Sequence, residues 1–283
     1  MRMSEAKFVI MPVPFEFSTS FIKGTASAPE SIISVSEQLE FFDEKYLVEP
    51  YKCGIRTLSP LRINIEKPSS MIKIIQKEAK KIIGKGKFLI SIGGEHTITY
   101  GLVKAFKNFY SDFNVLILDA HSDLRDSYQG SKFSHACVSR RIVEDGFKVY
   151  ITGVRSISKE EFMFAKNKNN VEIFYAYKMK KMDWKNEIAK NLPSGKYYLS
   201  FDADFLDPSV LPEVGTPEPG GFLWDETVEF LENFILRSDI EIIGFDFVEL
   251  SPGVLNSPSS FISSKLIYKI ISFLCLNGNK IYK

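Results

Sequence analysis

The sequence predicts an α/β fold with a mainly parallel sheet and helices on both faces. Three observations carry this expectation. Short apolar runs alternate along the chain with longer amphipathic stretches. Several of the short runs are β-branched or aromatic without interruption, as strands covered on both faces are. Acidic residues and histidines then follow the carboxyl ends of these runs, which is where an open α/β sheet gathers its ligands.

The strand runs are 8–13, 88–92, 115–119, 148–152, 171–175, 197–201 and 240–245. Helical patterns lie between them. Residues 71–83 follow Ser70, an expected N-cap, and end at Gly84, an expected C-terminal glycine cap. Ser158-Lys-Glu-Glu161 has capping-box spacing. Asp225 is an expected cap for 226–236. The apolar stretch 261–276 carries Lys265 and Lys269 and reads as too short to span a bilayer. Its Ile262, Leu266, Ile270 and Leu274 share one side and predict a helix docked on the core. Repeats, low-complexity segments and composition breaks are absent, so residues 1–283 read as a single domain.

Composition narrows the function. A formal net charge of +1, without a basic or acidic block, gives no footprint for nucleic acid or an anionic membrane. Hydrophobic residues make up 45% of the chain and 24 are Phe, enough for a sizeable core. Cys53, Cys137 and Cys275 are widely separated and form no Cys-x-x-Cys pair. That predicts unpaired thiols in a reducing cytoplasm rather than a disulfide framework. The N-terminal apolar run is short and broken by Glu5 and Pro12, unlike a signal peptide.

The chemistry is concentrated in few residues. All three histidines, His96, His121 and His135, fall within one forty-residue stretch. Asp119, His121 and Asp123 have period-two spacing, as do Asp202 and Asp204 downstream. On extended backbone such side chains point the same way. Two segments can thus present four carboxylates and one imidazole to a common centre. Crowded carboxylates repel one another unless a cation neutralises them. An oxygen-rich set of Asp with His suits Mn²⁺ or a similar octahedral ion, and a shared carboxylate can hold two ions about 3.5–4 Å apart. Taken alone, Asp202 and Asp204 would also fit an Asx-turn at a strand end. Gly93 and Gly94 read as a tight turn bringing His96 forward, since no phosphate-loop pattern follows.

These motifs together resemble the ureohydrolases: arginase, agmatinase and formimidoylglutamase relatives. Ser-Ile-Gly-Gly-Glu-His96 is similar to the family's Gly-Gly-Asp-His motif, with Glu95 in place of Asp. Asp119-Ala-His-Ser-Asp123, Ser200-Phe-Asp-Ala-Asp-Phe-Leu-Asp-Pro208 with Gly215-Thr-Pro-Glu-Pro-Gly-Gly221, and Gly244–Pro252 match later blocks in order. Pro12–Gly24 resembles the N-terminal loop, so the likeness spans nearly the whole chain. It implies a three-layer α/β/α, arginase-like fold and two Mn²⁺ ions per chain. By the resemblance, His96, Asp119, Asp123 and Asp202 hold one ion, and His121, Asp119, Asp202 and Asp204 the other. A hydroxide bridging the ions attacks the guanidinium carbon. His135 protonates the departing amine and Glu249 grips the guanidinium. Asp246 reads as orienting the site or the chain and is not assigned as a ligand.

Otherwise His135 reads as a loop histidine bonded to backbone and Glu249 as a surface acid after a strand. Cys137 beside His135 lacks the orienting acid of a Cys–His nucleophile. The segment Gly153-Val-Arg-Ser-Ile-Ser158 lacks the acid with which arginases hold an α-amine, and the loop 123–141 looks like that of agmatinases. The expected reaction is therefore agmatine plus water giving putrescine and urea, in polyamine formation. Guanidinobutyrase, arginase and formimidoylglutamase activities stand as alternatives within the family. A dimetal phosphoesterase or a non-catalytic metal-binding subunit stands outside it. The resemblance also implies a homo-oligomer, trimer or hexamer.

Overall fold

The structure, a computed structural model, describes residues 1–63 and 67–277. Eight strands form one parallel sheet: β1 (Phe8–Val13), β2 (Ile55–Thr57), β3 (Phe88–Gly93), β4 (Asn114–Leu118), β5 (Lys148–Val154), β6 (Val171–Tyr175), β7 (Gly195–Asp202) and β8 (Ile240–Val248). Their spatial order is β2-β1-β3-β8-β7-β4-β5-β6, with every pairing parallel. The helices are α1 (Ala28–Val35), α2 (Pro68–Ile83), α3 (Thr97–Phe106), α4 (Val138–Glu144), α5 (Lys159–Lys166), α6 (Ala176–Met179), α7 (Trp184–Asn191), α8 (Trp224–Ile235) and α9 (Pro258–Asn277).

Strand alternation divides the core into two layers. Phe8 and Ile10 of β1 and Leu116 and Leu118 of β4 pack with α1, α7, α8 and α9. Val9 and Met11, and Val115 and Ile117, face the opposite way onto α2, α3 and α4. The result is the expected α/β/α sandwich. The seven predicted strands all form. The missed one, β2, has only three residues on an edge beside β1, too few to show a period.

Several local expectations are corrected. Helix α2 begins at Pro68 rather than after Ser70; Lys67 is its N-cap, and Pro at the first position needs no partner for an N–H it lacks. Gly84 closes that helix in right-handed geometry, and the left-handed glycine is Gly86, at φ +67°. Leu223, not Asp225, is the N-cap of α8; Glu226 reaches back to the Leu223 N–H at 3.0 Å, and Asp225 lies in the first turn. The capping box at Ser158 forms as expected.

Helix α9 has 20 residues and is, by length and composition, long enough to cross a membrane. Tertiary packing decides its place instead: 72% of its most apolar window is buried within the molecule. Leu266, Ile270 and Leu274 are in the core, with Ile262 packed against its edge. Lys269 is buried on the same helix, paired with Asp43 at 3.0 Å. Cys53 and Cys275, expected to stay apart, are joined as a disulfide with Cα atoms 6.7 Å apart. Linear spacing gave no hint of this, because packing of the segment before β2 against α9 creates the proximity. Cys137 is free and buried.

Candidate metal centre and substrate cavity

The four central strands, β3, β8, β7 and β4, deliver the metal candidates and Glu249 at their carboxyl ends, and His135 lies farther along the loop after β4. After β3 the chain turns at Gly93 and Gly94. A Cβ on Gly94 would stand 2.0 Å from the Phe15 carbonyl oxygen, so only glycine allows this approach. His96 thereby becomes the N-cap of α3, fully buried. Asp119, His121 and Asp123 follow β4. Asp202 ends β7, and its Oδ1 accepts the Asp204 N–H at 2.9 Å, which fixes the turn carrying both acids. An aromatic group braces that turn: Phe205 stacks on Phe222 at 4.7 Å between centroids, and Trp184 packs on Phe222 at 4.6 Å. Each such ring contributes roughly 1.5–3 kcal/mol by burial.

Two triads of donor atoms converge. One is His96, Asp119 and Asp202; the other is Asp119, His121 and Asp204. Asp119 belongs to both. Asp123 joins the first, its Oδ2 3.0 Å from His96 Nδ1. His96 Nδ1 also lies 3.2 Å from Asp119 Oδ2 and 3.4 Å from Asp202 Oδ2. Yet Nδ1 and Asp119 Oδ2 are both buried without a hydrogen bond. Lone pairs aimed at a common point rather than at a proton are what a cation site requires. His121 Nδ1 stands 2.9 Å from Asp204 Oδ2 and 3.6 Å from Asp119 Oδ1.

The electrostatics point the same way. Burial, then the neighbouring Asp119, pushes the Asp123 carboxyl up to about 7. Burial, then Asp204 and Asp119, pushes Asp202 well above the carboxylate range. A bound divalent ion removes that repulsion. These residues fit two metal ions by donor type, by orphaned donors and by charge.

Groups behind the ligands fix their orientation. The Ser200 hydroxyl donates to Asp246 Oδ1 at 2.7 Å and lies 3.0 Å from His96 Nε2. Having given its proton to Asp246, Ser200 accepts from His96 Nε2–H, which leaves Nδ1 bare for a metal. Asp246 also accepts from Tyr198 and Thr99, and so orients the site without ligating. His121 Nε2 faces Glu218 Oε1 at 3.6 Å.

A cavity of about 340 Å³ opens over the metal groups. His135, Glu249, Glu218, Glu161, Tyr128 and Arg125 line it, with Asp123, Asp202 and Asp204 at its base. Glu249 is buried, and its Oε1 accepts the His96 N–H at 2.5 Å. Burial, then Glu95, raises its carboxyl well above the usual range. Asp123 and Glu249 both hold left-handed backbone, at φ +51° and +64°. Such conformations cost on the order of 1–3 kcal/mol and persist where the surroundings over-determine them, as at functional sites. Burial holds the His135 imidazole down to about 4 and so favours its neutral form. Burial drives the Cys137 thiol up to about 11, and its sulfur points to the Ser131 carbonyl; it is no nucleophile.

Reading the sequence missed four contributors. Glu218 stood inside a quoted motif, but only the fold sets it beside His121. Ser200 likewise preceded Asp202 unassigned. Glu95 points away from the metal groups and instead accepts from Phe17 N, Ser18 N, Ser18 Oγ and Thr97 Oγ1. Arg155 clamps the far loop, donating to the Asp204 carbonyl at 2.5 Å and the Glu218 carbonyl at 2.9 Å. Arg155→Met should lower unfolding stability by about 2–3 kcal/mol, the scale of lost charge-assisted bonds to buried carbonyls. Equilibrium denaturation reads this directly; an unchanged midpoint and slope would remove the clamp from the account.

The chain matches the Arginase family across residues 6–272. It is 36% identical over 277 residues to an N(1)-aminopropylagmatine ureohydrolase of Synechocystis, covering 95% of this chain and 90% of the relative. It is 35% identical over 269 residues to an agmatinase of Pyrococcus horikoshii, covering 94% and 92%. The crystal structure of agmatine ureohydrolase of Thermoplasma volcanium superposes with a TM-score of 0.89 at 30% identity, covering 100% of this chain and 94% of that one. The protein belongs to the arginase family. It is a hydrolase of the agmatinase-like ureohydrolases, acting on guanidino groups.

Proposed function

We propose that the protein is a dimanganese enzyme that hydrolyses agmatine to putrescine and urea. The observation that carries this is the pair of triads sharing Asp119, with orphaned His96 Nδ1 and Asp119 Oδ2 beneath an acid-lined cavity. Asp123 would complete the first ion's ligands beside His96, Asp119 and Asp202, and Asp119, His121 and Asp204 would hold the second. The all-Asp and His donor set favours Mn²⁺ over thiolate-selecting metals. When bound, the two ions supply an activated water near neutral pH and neutralise the carboxylates.

The chain's own residues do the rest. Glu249, anchored through Oε1, turns its second oxygen to accept N–H groups of the planar guanidinium. That fixes the guanidinium carbon over the metals. His135, in its neutral form, takes up the proton released on attack and hands it to the departing amine. Bond formation at the carbon and loss of the amine then yield urea and the free diamine. Glu218 and Glu161 line the cavity walls and favour a cationic tail. Arg125 also lines it, but its Nε is 3.9 Å from Glu161 and its guanidinium lies over the Tyr128 ring.

A second reading is hydrolysis of N1-aminopropylagmatine, and the relatives so named favour it. It needs the same chemistry with a longer cationic tail. Urea release by the Mn²⁺-loaded protein, measured on agmatine, N1-aminopropylagmatine, arginine and 4-guanidinobutyrate, separates the readings. Arginine should be the poor substrate, because burying its α-carboxylate without matched donors costs several kcal/mol. Arginine turned over as efficiently as agmatine would overturn the substrate assignment. A phosphate ester assayed in parallel should give no product, since three glutamates face the cavity. The proposal further includes a homo-oligomer, trimer or hexamer, and a cytoplasmic location, although the Cys53–Cys275 pair removes the unpaired-thiol argument for the latter. Sedimentation finding only monomer at micromolar concentration would sink the oligomer.

A further inference from the structure

We infer that Ser18 is a positioning residue that sets the tautomer of His135. Ser18 lies in the loop after β1, buried, and its hydroxyl touches three groups. It donates to Glu95 Oε1 at 2.9 Å, accepts the His135 backbone N–H at 3.0 Å, and stands 3.0 Å from His135 Nδ1. A serine hydroxyl has one proton and two lone pairs. Glu95, already accepting from Phe17 N, Ser18 N and Thr97 Oγ1, takes that proton. The lone pairs are then left for the two His135 donors. His135 must therefore carry its ring proton on Nδ1, and Nε2 is bare toward the cavity. Ser134 Oγ, 3.3 Å from the same Nδ1, is the more distant neighbour.

This arrangement suits the proton relay and rests on the reading of His135 as the group that first accepts a proton. An imidazole protonated on Nε2 would face the reacting centre with a donor and could not take up the proton. Glu95 thus acts two steps away, through Ser18, rather than on metal or substrate. The unusual Glu at this place supplies the reach: its backbone stands beside His96 while its carboxylate gathers the loop 17–18.

The test uses Ser18→Ala, Ser18→Thr and His135→Asn. The chain has only three histidines, so ¹⁵N-histidine NMR of the Zn²⁺-loaded protein resolves each ring. Wild type should show His135 with Nδ1 protonated and Nε2 bare. Ser18→Ala should mix the tautomers and lower kcat about tenfold, with KM and metal content held, as loss of an orienting partner does. Ser18→Thr should restore both. Wild-type His135 carrying its proton on Nε2 would overturn the inference without any variant, so a poorly folded Ser18→Ala does not shield it. Unchanged tautomer and kcat in a well-folded Ser18→Ala would overturn it too. Undiminished kcat in His135→Asn would instead sink the role of His135 itself, leaving the tautomer readout to judge Ser18.

Discussion

Asp119→Asn should abolish binding of two ions and reduce urea release at least about 10³-fold, because the several kcal/mol of charge stabilisation that bound metals supply would be lost. Asp119 is the one residue in both donor triads. Its Oδ1 also accepts the His121 N–H at 2.6 Å, so an amide oxygen can preserve the local turn while halving the ligand atoms and removing the charge. The substitution therefore separates folding from metal binding. His96→Ala and Asp202→Ala should weaken the first ion, and His121→Ala the second. Metal analysis after Mn²⁺ loading should approach two ions per chain in wild type. Thermal unfolding gives a second readout. Saturating metal at about 100 times Kd raises stability by about 2.7 kcal/mol per site, and Asp119→Asn should lose most of that rise. Two retained ions with full activity in Asp119→Asn would contradict a shared ligand.

What could be read in advance, and what could not, follows from the range of each interaction. Asp119, His121 and Asp123 were legible because their close spacing directly follows the strand run of β4, although a turn rather than extended backbone gathers them: Asp119 Oδ1 accepts the His121 N–H and Asp123 is left-handed. Asp202 and Asp204 were legible by the same spacing, but extended backbone is not what gathers them: Asp202 caps a short 3-10 turn that carries Asp204, its side chain accepting the Asp204 N–H. That His96 joins them was inferred from sheet-end placement, and the order β3-β8-β7-β4 confirms that placement by setting the four strands side by side. Glu218, Arg155 and Ser18 were not legible. Each acts through a contact between distant loops, such as Ser18 with His135 across 117 positions, and no periodicity encodes such a pairing. Cys53 and Cys275 failed for the same reason across 222 positions. Helix caps failed differently. Ser70 and Asp225 have the right chemistry for a cap, but Pro68 and Glu226 offered the backbone better starts nearby.

Glu249→Gln should lower kcat/KM for every guanidine substrate by about 10²–10³-fold, the effect of removing one partner of a buried hydrogen-bonded charge pair. The argument begins with geometry. Glu249 follows β8 in left-handed backbone, and the His96 N–H fixes one carboxylate oxygen. The other oxygen lies toward Gly215, where a Cβ would come within 3.5 Å of it. Glutamine keeps the shape, but it loses the charge and places either an amide N–H or a single acceptor before a group that offers only donors. Metal content should be unchanged, because Glu249 belongs to neither triad. The loss should also be similar for agmatine, N1-aminopropylagmatine and 4-guanidinobutyrate, which share the guanidinium and differ only in the tail. A substrate-dependent loss would move Glu249 from the reacting group to the tail, and a loss accompanied by metal release would make it part of the metal centre instead.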